Sequence, residues 1–159
     1  MSTLAKNIKL VGTDIDGVWT DARMYYSADG DIMKSFSTYD GMGVKLLREA
    51  GIPLIIMTGE DTKIVTKRAK KLGIDFIFQG ENEKLRRLKE VCKELDITLD
   101  EVAYIGDDVN DLDVLQAVGI SAMPPNSPIL DQFNPDYLTT RCGGDGAFRE
   151  FVDFILSQK

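Results

Sequence analysis

Short runs of apolar residues alternate along the chain with longer segments in which apolar residues recur every three or four positions. The short runs predict buried strands, and the longer segments predict amphipathic helices. We expect strands at residues 8–13, 52–57, 75–78, 102–105 and 120–122. We expect helices at residues 41–50, 61–72, 81–95, 110–118 and 146–156.

Residues 20–36 depart from this alternation. Two short runs, one from Met24 to Tyr26 and one at Ile32 and Met33, lie on either side of an Asp29-Gly30 turn signal, which predicts a β-hairpin. Elsewhere, strands that alternate with helices predict a doubly wound parallel sheet of the α/β class with helices on both faces. The sequence shows no linker, repeat or low-complexity tract, so we expect a single domain over residues 1–159.

The composition excludes several classes of function. The formal net charge is −7, which argues against a nucleic-acid partner, and the chain contains no histidine, which excludes Ser-His-Asp catalysis and HExxH zinc sites. No apolar run approaches the roughly 18 residues that span a bilayer, and residues 1–14 lack the features of a signal peptide. We therefore expect a cytoplasmic protein with no membrane partner and with Cys92 and Cys142 as reduced thiols.

Polar residues follow several of the predicted strands. Ligands of doubly wound sheets bind at the carboxyl ends of the strands, so these residues are expected to meet at one edge of the sheet. The candidates, with one lysine at a predicted helix start, are Asp14, Asp16, Thr58, Gly59, Lys84, Asp107, Asp108 and Asp111.

Clustered carboxylates repel one another unless a proton or a cation lies between them. Oxygen ligands without His or Cys favour a hard cation, so Mg²⁺ is the expected cofactor. Such a cation would also draw a phosphate group to an acidic protein. One carboxylate can then attack phosphorus, a second can transfer a proton, and a lysine and a hydroxyl can hold the phosphoryl oxygens. The set predicts a phosphate-transferring site.

Four segments resemble, in order, the four motifs of the haloacid dehalogenase superfamily: DIDGVWT at 14–20, Thr58-Gly59, Lys84 and GDDVND at 106–111. The resemblance extends over residues 8–155. It implies a magnesium-dependent phosphatase that acts through an aspartyl-phosphate.

The roles of the site residues also follow from the resemblance. Asp14 is similar to the nucleophile and Asp16 to the general acid/base, while Thr58, Gly59 and Lys84 resemble the phosphate-binding residues. The Mg²⁺ ligands implied are Asp14, the main-chain carbonyl of Asp16, and Asp107. Asp108 and Asp111 are expected to lie just outside the direct ligands.

A narrower resemblance concerns YDGMG at 39–43 and GGDG at 143–146, which are similar to segments of the sugar-acid phosphatases that lack a cap domain. That resemblance implies a homotetramer in which a neighbouring subunit helps to close each active site. It also implies a phosphorylated keto-deoxy sugar acid as the substrate.

Glu60 lies directly after the Thr-Gly motif. A glutamate at this position resembles the pattern of the phosphatases that act on nine-carbon 2-keto-3-deoxy-nonulosonate 9-phosphate. This compound is therefore the substrate that we expect from the sequence. The alternative is 3-deoxy-manno-octulosonate 8-phosphate, whose phosphatases usually have a basic residue at this position. A substrate carboxylate needs a cation in either case, and Arg68, Lys71 and Arg141 are the candidates.

Two other classes of function are compatible with some of these residues. A response-regulator receiver also collects acids, a hydroxyl and a lysine at strand ends, but its phosphorylated Asp follows a middle strand, where this chain has Thr58. A catalytically inactive relative that serves as a scaffold would not need the full set of motifs.

Overall fold

The computed structural model describes residues 7–159 and contains a parallel sheet and a separate antiparallel hairpin. The strands are β1 (Leu10–Thr13), β2 (Tyr25–Ser27), β3 (Gly30–Met33), β4 (Leu54–Met57), β5 (Phe76–Phe78), β6 (Val102–Ile105), β7 (Ile120–Met123) and β8 (Tyr137–Leu138). The parallel sheet has the order β5-β4-β1-β6-β7-β8, and β2 pairs with β3 in the hairpin. The doubly wound α/β prediction and the predicted hairpin are both confirmed.

The α-helices are α1 (Thr38–Glu49), α2 (Lys63–Leu72), α3 (Lys84–Leu95), α4 (Leu112–Ala117) and α5 (Ala147–Ser157). Local chemistry sets several of their ends. The side chains of Ser37 and Thr62 accept hydrogen bonds from main-chain N–H groups in the first turns of α1 and α2. Gly73 ends α2 in the left-handed conformation at φ 63°.

Alternate residues of each central strand face opposite sides of the sheet, and both sides are apolar. Val11 and Ile105 join a cluster with residues of α1, α2 and α5, whereas Leu10 and Tyr104 join a cluster with residues of α3 and α4. Burial on both faces explains why the strands appear in the sequence as continuous apolar runs.

Several details differ from the sequence prediction, including the start of α3 at Lys84 rather than at residue 81. Helix α1 begins at Thr38 rather than at residue 41, because Ser37 caps it. The predicted helix at 110–118 is divided, since Val109–Asp111 forms a 3₁₀ turn before α4. Strand β8 was not predicted, because two residues beside polar neighbours make no apolar run.

No helix within residues 7–159 combines the length and the apolar character needed to cross a membrane. The predicted lack of a signal peptide concerns residues 1–14, of which 1–6 lie outside the described residues.

Candidate active site

The ends of three adjacent strands bring the predicted catalytic residues together. Because β1 lies between β4 and β6, Asp14, Thr58 and Asp107 follow neighbouring strands at the same edge of the sheet. A cleft of about 280 Å³ opens at this edge. Its lining contains Asp14, Asp16, Ala22, Met24, Thr58, Gly59, Glu60, Asp107, Asp108 and Asn110.

Asp14 is buried and contacts the one lysine that the motifs placed here. The Nζ atom of Lys84 lies 3.1 Å from Oδ2 of Asp14, and the main-chain N–H of Ile15 donates to Oδ1 at 2.7 Å. Burial raises the pKa of Asp14 to about 7, and the charge of Asp111 adds to this, although Lys84 opposes it. Burial by itself would lower the pKa of Lys84, but Asp111 and Asp14 outweigh it and the net shift is upward. Lys84 therefore stays cationic beside Asp14.

Asp111 is fully buried, and both of its carboxylate oxygens already accept hydrogen bonds. Oδ1 accepts from Lys84 at 2.8 Å and from the hydroxyl of Tyr104 at 2.6 Å. Oδ2 accepts from the main-chain N–H of Asp107 at 3.0 Å and from that of Asp108 at 3.4 Å. Burial, reinforced by Asp111, raises the pKa of Tyr104 well above its ordinary value, so its hydroxyl remains a donor. These contacts suit a residue that orients Lys84 and the Asp107 loop.

The three buried acids are close enough to share a cation. Within the described residues, carboxylate oxygens of Asp14, Asp107 and Asp111 lie within 4.8 Å of one another. Oδ1 of Asp107 is buried and has no hydrogen-bond partner among residues 7–159. Burial, with the charges of Asp14 and Asp111, raises the pKa of Asp107 to about 8. Because Asp111 is already occupied by four donors, Asp14 and Asp107 are the better ligands, and an all-oxygen set fits Mg²⁺.

The GGDG segment at 143–146 does not line the cleft but packs behind the first motif. The side chain of Asn126 joins the two segments, because its Nδ2 donates to the carbonyl of Gly17 at 3.3 Å and its Oδ1 accepts from the N–H of Gly143 at 2.7 Å. The hydroxyl of Ser127 donates to the carbonyl of Asp107 at 2.5 Å. The loop that contains Asn126 and Ser127 thus fixes the first and last motifs relative to each other.

The four residues predicted to bind the substrate do not lie together. Glu60 is exposed and lines the cleft. The lining of that cleft, as the described residues form it, does not include Arg68, Lys71 or Arg141. Lys71 is exposed on α2.

Arg68 and Arg141 lie instead around Asp40, the buried acid at the start of α1. Oδ1 of Asp40 accepts from the main-chain N–H of Arg149 at 2.9 Å. Burial raises the pKa of Asp40 to about 6, although Arg149, Arg68 and Arg141 oppose this shift. The guanidinium of Arg141 lies 5.7 Å from the ring centroid of Tyr39. Within a single chain, any role of these cations in substrate binding requires that the substrate reach beyond the cleft.

Sequence reasoning missed several residues at the site: Ala22, Met24 and Asn110 line the cleft, and two more contact the predicted acids. The hydroxyl of Tyr104 contacts Asp111, as described above, and Lys34 at the end of the hairpin donates to Oδ1 of Asp16 at 2.8 Å. Tyr104 could have been suspected from its hydroxyl within an otherwise apolar strand, since a buried hydroxyl needs a partner. Lys34 offers no such signal, because a lysine beside a hairpin is ordinarily solvated.

Residues 22–119 match the family model of the haloacid dehalogenase-like hydrolases. The chain is 40% identical over 156 residues to the 3-deoxy-D-manno-octulosonate 8-phosphate phosphatase KdsC of Haemophilus influenzae. This match covers 98% of this chain and 87% of the relative. It is 36% identical over 152 residues to KdsC of Escherichia coli K12, and this match covers 96% of this chain and 81% of the relative.

Solved structures of similar proteins superpose closely. The 3-deoxy-D-manno-octulosonate 8-phosphate phosphatase of Moraxella catarrhalis, in complex with magnesium, phosphate and KDO, has a TM-score of 0.94 and 40% identity, over 99% of this chain and 91% of that one. The cobalt-bound phosphatase of Haemophilus influenzae has a TM-score of 0.93 and 39% identity, over 98% of this chain and 91% of that one.

Proposed function

The chain belongs to the haloacid dehalogenase-like hydrolases and is a phosphatase of that family, and we propose that its substrate is 3-deoxy-D-manno-octulosonate 8-phosphate. The observation that best supports the reaction type is the buried contact between Asp14 and Lys84 beside Asp107. The curated relatives support the substrate, because they are named for this compound over nearly the full length of the chain.

The cofactor is Mg²⁺, with Asp14, Asp107 and the main-chain carbonyl of Asp16 as the proposed ligands. When bound, it neutralises the phosphoryl oxygens and offsets the charges of the acids around it. The magnesium complex of the Moraxella phosphatase and the unpartnered Oδ1 of Asp107 support this assignment.

In the first step, a carboxylate oxygen of Asp14 attacks phosphorus while the bond from phosphorus to the sugar oxygen breaks. Asp16 gives its proton to the departing sugar oxygen. Lys84 and the hydroxyl of Thr58 hold the phosphoryl oxygens and stabilise their charge. The products of this step are the free sugar acid and an aspartyl-phosphate on Asp14.

In the second step, Asp16 takes a proton from a water molecule, whose oxygen attacks the phosphorus of the aspartyl-phosphate. The bond between phosphorus and Asp14 breaks, which releases inorganic phosphate. Asp16 is then protonated again and ready for the next substrate. The same carboxyl group acts as acid in one step and as base in the other.

A second substrate remains a candidate because of one residue. Glu60 lines the cleft, as a residue that selects the substrate should, and it is the feature that resembles the nine-carbon branch. The relatives favour the eight-carbon alternative over that main sequence prediction. They also leave the receiver-like alternative without support, since they are phosphatases.

The proposal includes a homotetramer and the cytoplasmic location expected from the sequence. The hairpin supports an assembly, because its large apolar side chains are exposed in the single chain: Met24, Tyr25, Tyr26, Ile32 and Met33. Contiguous exposed apolar residues are typical of protein contact surfaces. Light scattering tests the tetramer, and a monomer at assay concentration would refute it.

The deciding experiment is phosphate release with Mg²⁺ from a panel of eight-carbon and nine-carbon keto-acid phosphates, with Asp14→Asn as the inactive control. We expect the highest kcat/KM for the eight-carbon 8-phosphate. Preference for the nine-carbon 9-phosphate would overturn the substrate and support the interpretation of Glu60. No turnover of any member by the magnesium-loaded protein would overturn the proposed function.

A further inference from the structure

The ammonium group of Lys34 is buried against Asp16. Lys34 directly follows β3, and its Nζ atom lies 2.8 Å from Oδ1 of Asp16 and 3.8 Å from Oδ2 of Asp31. Its side chain is 0% exposed. A buried ammonium is costly unless carboxylates surround it, so this arrangement requires a compensating contact. The contact with Asp16 provides it.

The two oxygens of Asp16 have different surroundings. Oδ1 accepts the hydrogen bond from Lys34, whereas Oδ2 is buried and has no hydrogen-bond partner in the part of the chain that the structure describes. Asp16 also lines the cleft beside Asp14. A carboxyl group with one oxygen fixed by a charged donor has little freedom to rotate, so the other oxygen keeps one orientation.

We propose that Lys34 is a positioning residue for proton transfer by Asp16: its contact with Oδ1 fixes the orientation of the carboxyl group beside the cleft. The inference rests on the proposed phosphatase function and deepens it. In the first step the proton moves from the carboxyl group of Asp16 to the sugar oxygen as the bond from phosphorus to that oxygen breaks. Lys34 itself does not touch the substrate.

The hairpin thereby has a function besides forming a surface. The Nζ atom that fixes Asp16 belongs to a residue 18 positions further along the chain. The exposed apolar side chains of Ile32 and Met33 immediately precede Lys34. The strand that bears these exposed side chains therefore also places the lysine that contacts Asp16.

A comparison of leaving groups tests the proposal. A sugar oxygen needs a proton in order to leave, whereas p-nitrophenolate leaves without one, so loss of a positioned acid affects the first substrate more. We expect Lys34→Met to lower kcat/KM for the sugar-acid phosphate at least about tenfold more than kcat/KM for p-nitrophenyl phosphate. Asp16→Asn, measured in parallel, should show the same dependence on the leaving group and a larger loss.

Asp31→Asn is the matched control, because it removes the second acid near Lys34 and leaves the contact with Asp16 in place. We expect it to keep both activities within about threefold of wild type. Equal losses on the two substrates in Lys34→Met would overturn the proposal and indicate a structural role alone. A raised KM with unchanged kcat would overturn it too, because Lys34 would then bind the substrate directly.

A measurement on the wild-type enzyme does not depend on the folding of a variant. In a crystal structure with Mg²⁺ and a vanadate mimic of the transferred phosphate, we expect Lys34 to contact Asp16 and not the vanadate. A Lys34–Asp16 distance beyond about 4 Å, or a direct contact of Lys34 with vanadate, would overturn the inference. Turnover by the wild-type enzyme tests the proposed function separately. A failure of the inference about Lys34 is therefore distinguishable from a failure of the proposed function.

Discussion

A side chain at position 17 would collide with the carboxylate of Asp107. A Cβ atom placed on Gly17 lies 1.8 Å from Oδ2 of Asp107, and Gly17 has a φ of +87°. The glycine of the first motif therefore allows the acid of the last motif to lie beside Asp14. The loops that follow β1 and β6 meet at this contact, so the glycine contributes to the metal site without offering a ligand.

Gly17→Ala should weaken Mg²⁺ binding about 10- to 100-fold, because Asp107 must move. It should also destabilise the fold by about 1–3 kcal/mol, because alanine is strained at this φ. Gly30→Ala is the matched control: Gly30 has a φ of +106°, and no atom of the described residues lies within 4 Å of the added Cβ. Calorimetric titration with Mg²⁺ and thermal unfolding of both variants check this. Equal Mg²⁺ affinities for the two variants would contradict it.

The raised pKa values of Asp14 and Asp107, about 7 and about 8, predict how pH changes the stability of the metal-free protein. Between about pH 4 and pH 8, the folded chain binds more protons at these groups than the unfolded chain does. Stability should therefore fall as pH rises through this range, by at most about 1.4 kcal/mol per pH unit for each carboxylate.

Magnesium should reverse this trend, because it binds the ionised carboxylates and only in the folded state. Thermal unfolding with EDTA and with Mg²⁺, between pH 5 and pH 8, measures both effects. We expect the stabilisation by Mg²⁺ to grow with pH. If the melting temperature of the metal-free protein rises from pH 5 to pH 8, the raised pKa values of the two buried acids are contradicted.

The fold was largely predictable because burial on both faces leaves a plain pattern in the sequence. Residues 102–105 are apolar throughout, and Tyr104 faces one side of the sheet while Ile105 faces the other. Strand β8 was not predictable in this way, since it has two residues and takes its place from pairing with β7. Its position depends on contacts between distant segments, which no local pattern reports.

The proximity of Asp14, Thr58 and Asp107 was predictable because adjacent parallel strands end at the same edge, whatever lies between these residues in sequence. Lys34 was not, because its partner depends on how the hairpin folds back over the first motif. The same limit applies to Arg68 and Arg141: the sequence indicates cations, but it does not indicate that they lie around Asp40 rather than in the cleft.

Tyr104→Phe should lower kcat about tenfold and cost about 1 kcal/mol of stability, because Asp111 loses a buried hydrogen bond and orients Lys84 less firmly. Tyr137→Phe is the matched control, since its hydroxyl also donates to a carboxylate, that of Glu150 at 3.1 Å. Steady-state kinetics and thermal unfolding of both variants measure the effects. A Tyr104→Phe enzyme with unchanged kcat would show that Lys84 and the main-chain N–H groups of Asp107 and Asp108 are enough to keep Asp111 in place.

Asp14→Asn should change activity and stability in opposite directions. Turnover should fall at least about a thousandfold, since an amide cannot form the phosphoenzyme. At pH 8 without metal, however, the variant should be more stable than wild type, because burial and Asp111 disfavour the charge that the amide removes. The variant should also show a smaller loss of stability between pH 5 and pH 8.

Phosphate release and unfolding in EDTA test the two halves of this prediction separately. Turnover above a few per cent of wild type in a well-folded variant would exclude Asp14 as the nucleophile. A variant less stable than wild type at pH 8 would mean that the contact with Lys84 outweighs the burial of Asp14. If both expectations hold, the negative charge of the nucleophile destabilises the metal-free fold. This is expected of an acid whose position serves the binding of Mg²⁺ and phosphate.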